Sequence, residues 1–382
     1  MPRLSDMNDE IQRSFDFVDM TAILNNSKNR SRRVNKHEKE SRAAFVITKN
    51  NVERIKRHLY EFSDCSFPVY VLDTSVDSLT KDYVRREFSS TNICYHGRIE
   101  QLEFLEKLDS DFTRSFLLPT SNFSWDIGLK RNYALVFSRF SGFSRILLID
   151  DDIEFGGLAA LDQTLDSLSQ YDIVGVHTTG MPDTRSVGHI LYSLGIRSYD
   201  FISGQYVAIS VDAVNYYFPN VYNEDWIFFL LSSQECAIAQ SGVVKQDLYD
   251  PFSSVERALS EEFGEILFDG LARAVLRRGD IRIAFDPDFW RDTLRRRTRS
   301  INLLSELILP INTQSLHDIL ECLVRYHRYL RPEFFIDYFS SYLSRLAHWR
   351  QVMSRSLSDM ECSINKLCST NVAGLSIESC KD

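Results

Sequence analysis

The sequence predicts an α/β protein, with a mostly parallel central sheet flanked by helices and a largely helical region behind it. Three observations carry that expectation. Strand-like and helix-like segments alternate from Ala43 onward, and strand, helix, strand is the unit from which parallel sheets are built. The run Ile146, Leu147, Leu148, Ile149 is short, aliphatic and uncharged, as a strand buried on both faces must be, and it stops abruptly at Asp150, Asp151 and Asp152. Beyond Pro251 the period lengthens to that of helices, over 259–278, 289–309, 315–329 and 333–353, with few strand signals.

The elements follow in order. Residues 1–42 are polar, with Lys and Arg dense from Lys28 to Arg42, and read as a solvated basic tail or a loosely attached helix. Residues 44–48 form a strand candidate ending in Lys49, Asn50 and Asn51, and a helix candidate spans 52–62. Pro68 opens a second strand, Val69 to Leu72, which ends at Asp73, Thr74 and Ser75; residues 93–95 make a short third. Over 127–140 the apolar residues Leu129, Tyr133, Val136, Phe137 and Phe140 recur at helical spacing, with Lys130, Arg131 and Asn132 near the start and Gly142 as the stop. The expected organisation is therefore a tail (1–42), an α/β domain (43–250) and a mainly helical region (251–382).

Composition narrows the function. A net charge of −9 argues against a dedicated nucleic-acid binder, which carries a basic face. No apolar run is long enough to span a bilayer and the first ten residues are polar and acidic, so the expectation is a cytoplasmic protein without a transmembrane segment. Seven scattered cysteines, with no C-x-x-C pair, read as reduced thiols rather than a zinc site.

The chemistry concentrates at acids. Ligands of open α/β sheets collect beyond the carboxyl ends of the strands, where Asp150, Asp151 and Asp152 would stand. Three adjacent carboxylates repel one another unless a cation is shared, and a hard divalent ion such as Mg²⁺ or Mn²⁺ suits oxygen ligands. The other reading is an acidic turn that solvates a strand end. Lys130 and Arg131, in a basic first helical turn on the same rim, are either a seat for diphosphate or ordinary exposed helix residues. Gly204 permits close backbone approach to a ligand. A second pair, Glu224 and Asp225, precedes Trp226 and an apolar helix: either acids complementing a helix dipole, or a general base partly desolvated beside Trp226.

In this order, Val46-Ile47-Thr48-Lys49-Asn50, Val71-Leu72-Asp73-Thr74-Ser75, Arg131-Asn132-Ala134, the D-x-D form Asp150-Asp151-Asp152 and Glu224-Asp225-Trp226 resemble the GT-A fold nucleotide-sugar glycosyltransferases, in the style of family 2. The resemblance spans roughly residues 43–232. It implies a Rossmann-like GT-A fold that moves one sugar from a nucleoside diphosphate sugar to an acceptor hydroxyl on a glycan, lipid-linked molecule, natural product or peptide, with inversion. It also implies donor binding by Thr48, Asn50, Asp73, Arg131, Asn132, Asp150, Asp151 and Gly204, a metal ion (Mg²⁺ or Mn²⁺) on Asp152 and Asp150, and catalysis by Asp225 with Glu224.

Departures are visible. Lys130 stands where the family carries a small residue before Arg-Asn, and the Q-x-x-R-W motif of processive members is absent. No late histidine offers a third metal ligand; Asp247 is the nearest substitute. Two alternatives stay open: a nucleotidyltransferase on a related fold, against which the absence of glycine from Thr48 to Val52 counts, and an inactive GT-A-like scaffold. In the helical region, Arg291, Arg295, Arg296, Arg297 and Arg299 form either an anion-binding strip or a solvated face. The aromatics from Tyr326 to Tyr342 suit helix packing or a homo-oligomer interface.

Overall fold

A computed structural model describes residues 20–27, 41–75, 78–109, 111, 113, 126–154, 156–180, 186–195, 202–308 and 314–355. Most of the 1–42 tail lies outside the described residues. Within it, Met20–Ser27 (α1) is helical, and the Ser27 hydroxyl donates to the Ile238 carbonyl. The elements that follow are β1 (Arg42–Thr48), α2 (Val52–Phe62), β2 (Val69–Asp73), α3 (Leu79–Glu87), β3 (Ile93–His96), α4 (Arg98–Leu108), α5 (Asp126–Ser141), β4 (Arg145–Asp150), β5 (Ile153–Glu154), α6 (Gly157–Ser167), β6 (Ile173–Thr179) and α7 (Ser186–Ser193). After these come β7 (Ile202–Ser210), α8 (Glu224–Ser232), β8 (Ile238–Gln246), α9 (Val255–Ala272), α10 (Pro287–Ile308), α11 (Gln314–His327) and α12 (Pro332–Met353).

The eight strands form one mixed sheet in the order β3-β2-β1-β4-β7-β6-β8-β5. Its first half, β3-β2-β1-β4, is parallel throughout, as the strand-helix-strand pattern requires. β7 then runs antiparallel to both β4 and β6, while β6 and β8 are parallel. The reversal matters for the site. With Ile149 paired to Tyr206, the chain entering β7 at Ile202 to Gly204 meets the end of β4, where the aspartates begin.

Side-chain alternation explains why β1 and β4 are uniformly apolar. Ala43, Phe45 and Ile47 enter one core layer and Ala44 and Val46 the other, as do Ile146 and Leu148 against Leu147 and Ile149. Helices α2, α3 and α6 cover the second face; α5, α8 and the C-terminal helices cover the first. α5 ends at Gly142, whose φ of +78° is a conformation open to glycine.

The C-terminal helices are fused to the sheet layer. Trp226 of α8 packs edge-on to Phe268 of α9, with ring centroids 5.1 Å apart, and Gly264 of α9 lies so close to the Tyr222 main chain that a Cβ would stand 2.2 Å from its carbonyl oxygen. Aromatics of α12 pack within the chain: Phe335 stacks on Trp290 at 4.7 Å and Tyr342 on Tyr217 at 4.4 Å. Of the arginine run, Arg297 turns inward and donates to Glu262 (2.7 and 2.8 Å) and Glu265 (2.5 Å). Despite burial, Arg297 and His327 hold Glu262 down to about 2.

Candidate active site

The carboxyl ends of β1, β2 and β4 bring Thr48, Asp73 and Asp150 to one pole of the sheet: Thr48 pairs with Asp73, and Ile47 with Asp150. Each loop is fixed locally. Asp73, fully buried, accepts from the Asn50 N–H at 3.2 Å, the Ser75 N–H at 2.9 Å and the Ser75 hydroxyl at 2.5 Å, while Asn50 sits at φ +50° in the left-handed region that asparagine tolerates. Asp73 Oδ2 is buried with no hydrogen-bond partner among the described residues. Asp126, at the start of α5, accepts from the Thr74 hydroxyl and pairs with Lys49 at 3.4 Å and Lys130 at 3.7 Å. Against the effect of burial, Lys130, Thr74 and Lys49 hold its carboxyl below the ordinary range.

The three aspartates are partnered separately. Asp150 accepts from Arg131 at 2.9 Å through Oδ2; its Oδ1 is buried with no partner among the described residues. Asp151 accepts from the Thr48 hydroxyl at 2.6 Å and lies 3.5 Å from Arg54 of α2. Asp152 accepts from the Gln246 amide at 3.1 Å. That contact exists because β5 pairs with the end of β8, Ile153 opposite Gln246, a pairing that also joins the Asp247 N–H to the Asp152 carbonyl. Burial pushes all three carboxyls up, Asp150 to about 7, with Asp151 and Asp152 adding repulsion to Asp150 and Arg131 opposing it.

Arg131 joins the two acidic clusters. It is 1% exposed and its guanidinium spans Asp150 and Glu224, the latter at 2.5 Å. A side chain so enclosed between two carboxylates neutralises the interior, which is a different placement from the diphosphate seat expected of it. Burial opposes its charge, but Asp150 and Glu224 together hold it above its ordinary value. Glu224 itself is pushed up to about 8, by burial first, with Arg131 pulling the other way.

The loop carrying Glu224 and Asp225 is seated by α5. Gly128 and Asn132, one turn apart, face the segment 217–219: a Cβ at Gly128 would meet the Pro219 carbonyl oxygen at 2.9 Å, and the Asn132 amide clamps the Phe218 main chain with two bonds of 2.8 Å. The polar atoms of Asn132 are thus engaged by backbone. Asn223, at φ +61°, turns the chain into α8 and puts both acids in its first turn, where they complement the dipole. Asp225 accepts from the Gly204 N–H at 2.7 Å and the Trp226 N–H at 2.8 Å. Gly204 has its role here: a Cβ would stand 2.5 Å from that of Asp225 and 2.9 Å from Arg131, so its missing side chain lets protein, rather than ligand, approach.

Arg54 and Gln246 are the residues sequence reasoning passed over, and Lys130 takes a contact it did not assign. Lys130 is 3% exposed and donates to the Thr48 carbonyl at 2.9 Å, so the larger residue in the small-residue position reaches across to β1. Arg54, a first-turn helix residue like many surface arginines, carries no sequence signal. Gln246 stands beside Asp247, which lies instead 3.7 Å from Arg54.

Among the described residues no three His, Cys, Asp or Glu side chains converge as a metal cage. The donors present still suit a hard cation of the Mg²⁺ type, which is held through one or two carboxylates with substrate phosphates and water completing the shell. Asp150 keeps a buried, unpartnered oxygen, and Asp152 has a neutral amide as its side-chain partner.

No family model matches the sequence, and no curated protein matches it. The chain is similar to several solved structures at low identity. A candidate nucleotide-diphospho-sugar transferase of Desulfovibrio desulfuricans G20 is 9% identical, with a TM-score of 0.33, covering 70% of this chain and 98% of its own. A glucosyl-3-phosphoglycerate synthase of Mycobacterium tuberculosis, in complex with Mn²⁺, UDP and phosphoglyceric acid, is 16% identical (TM-score 0.39; 62% and 77%). A mannosyltransferase of Pyrobaculum calidifontis, with GDP-Man and Mn²⁺, is 11% identical (TM-score 0.38; 96% and 92%).

Proposed function

We propose that this chain is a GT-A type glycosyltransferase that moves a sugar from a nucleoside diphosphate sugar to an acceptor hydroxyl with inversion. One observation carries the reading: Arg131 binds Asp150 and Glu224 at once, so the strand-end acids and the separate acidic pair share one buried pole. A donor-handling cluster beside a candidate base is what a single displacement at a sugar carbon requires, since the nucleophile and the leaving phosphate occupy opposite faces of the ring.

In this reading the unpartnered oxygen of Asp73 faces the nucleoside, and Asp150 and Asp152 are the residues that would hold Mg²⁺ or Mn²⁺. When bound, that ion supplies positive charge against the negative charge growing on the leaving diphosphate. Asp225 is the base. Its oxygens are oriented by the Gly204 and Trp226 N–H groups, it makes no ion pair among the described residues, and each oxygen retains a lone pair for the acceptor's proton. Glu224, tied to Arg131, fixes the guanidinium and holds the interior charge balance.

The test is thermal stabilisation of the purified protein by UDP and GDP with Mn²⁺, followed by mass spectrometry of incubations with a panel of nucleotide sugars. Stabilisation that disappears in Asp152→Ala supports the proposal. A protein that no nucleotide stabilises, with or without metal, refutes it.

A further inference from the structure

A second region, built from the helical part of the chain, has the chemistry of an anion site. α10 and the turn between α11 and α12 enclose an open cleft of about 900 Å³, with Leu294, Leu330 and Pro332 among its apolar lining. Arg295 and Arg299 stand on its wall one turn apart, both exposed, and neither side chain makes a hydrogen bond or ion pair among the described residues. Their neighbours behave otherwise: Arg291 pairs with Asp288, Arg296 with Asp292 at 2.8 Å, and Arg297 is buried on Glu262 and Glu265.

A smaller cleft of about 340 Å³ shares Asn302 with the first and adds Arg325 and Arg328 of α11. Together the two are lined by six arginines (291, 295, 296, 299, 325 and 328) against two carboxylates, Asp292 and Glu321. Asp292 is already committed to Arg273 at 2.6 Å and to Arg296, and Glu321 lies 4.0 Å from Arg325. Arg291, Arg296 and Arg325 thus lie against acids, while Arg295, Arg299 and Arg328 have no acidic partner among the described residues, a local excess of positive charge in a chain whose net charge is −9.

We propose that this double cleft binds a compact soluble molecule carrying several phosphate groups. Guanidinium forks match phosphate oxygens two at a time, which a lysine-lined surface does not do. The volume is that of a small-molecule site, and its concavity favours a ligand that enters over a flat bilayer that would rest on the rim. The apolar lining lowers the local dielectric beneath the arginines and strengthens each contact. The site is independent of whatever reaction occurs at the aspartate pole.

Isothermal titration of the full chain with inorganic tripolyphosphate, at low and at physiological ionic strength and without divalent metal, tests it. One saturable site is expected, weakening as salt rises. Arg295→Gln/Arg299→Gln should lower the affinity at least tenfold and Arg325→Gln/Arg328→Gln at least threefold, with unchanged circular dichroism, whereas Asp152→Asn should leave it within twofold. All four arginines are exposed, so the second pair decides the matter if the first disturbs folding. Equal affinity in the parent and both double variants overturns the proposal. So does a result in which vesicles rich in phosphatidylserine bind through these arginines and tripolyphosphate fails to displace them.

Discussion

Replacing Arg131 by methionine tests whether the two acidic clusters are held together by charge. The guanidinium is 1% exposed and contacts Asp150 and Glu224, whose side chains are 12% and 7% exposed, so solvent cannot take its place. Removing one partner from a buried ion pair leaves an uncompensated charge and costs about 3–5 kcal/mol. That is a large share of the roughly 5–15 kcal/mol by which a folded domain exceeds its unfolded chain. Urea denaturation followed by tryptophan fluorescence measures it, with an unchanged m-value as the sign that only stability moved. Adding Glu224→Gln to Arg131→Met removes one stranded charge and should recover about 1–2 kcal/mol. The sign of the pH dependence follows. Burial already holds the folded-state carboxyls of Asp150 and Glu224 above their unfolded values, and losing the opposing charge of Arg131 raises them further, so the folded variant binds more protons than its unfolded chain and gains more stability than the parent as pH falls from about 8 toward 4.5. A loss below about 1 kcal/mol, or a double variant no more stable than Arg131→Met, refutes the bridge as an electrostatic element.

Three further outcomes are expected. Gly204→Ala places a methyl 2.5 Å from the Asp225 Cβ, so it should cost about 1–3 kcal/mol by overpacking and lower the rate of sugar transfer more than donor affinity, read from calorimetry beside turnover. Asp225→Asn should abolish transfer while nucleotide binding stays within a few-fold; equal loss of both contradicts its assignment as base. His96, lowered to about 4 by burial and bonded to the Tyr133 hydroxyl at 2.7 Å, binds its proton far more weakly folded than unfolded. Its contribution is therefore complete above pH 6.5 and is lost as pH falls toward 4, about 2 kcal/mol by pH 5. The stability difference between the parent and His96→Gln, measured at pH 7.5 and 5, should shrink by that amount.

The parts of the molecule that local pattern determines were readable in order. A helix over 52–62 and a buried strand ending at Asp150 lie where periodicity puts them, because one face of α2 and both faces of β4 are apolar. What sequence could not supply are relations made by the sheet's return path. β7 reverses direction beside β4, and that reversal carries Gly204 to Asp225 and Arg131, turning a glycine read as a ligand contact into a packing requirement. Pairing of β5 with β8 likewise selects Gln246, not its acidic neighbour, as the side chain on Asp152. The same logic applies to Arg131 and Asn132. Their residue types suit phosphate and nucleoside contacts, yet one face of α5 spends them on holding Asp150, Glu224 and Phe218 in register. Polar residues on a helix beside a site therefore divide into those that touch substrate and those that fix the groups that do, and only tertiary contacts separate them. In the proposed function that division assigns the chemistry to Asp73, Asp150, Asp152 and Asp225, and α5, whose Arg131 contacts both Asp150 and Glu224, is the element that ties the two acidic clusters together.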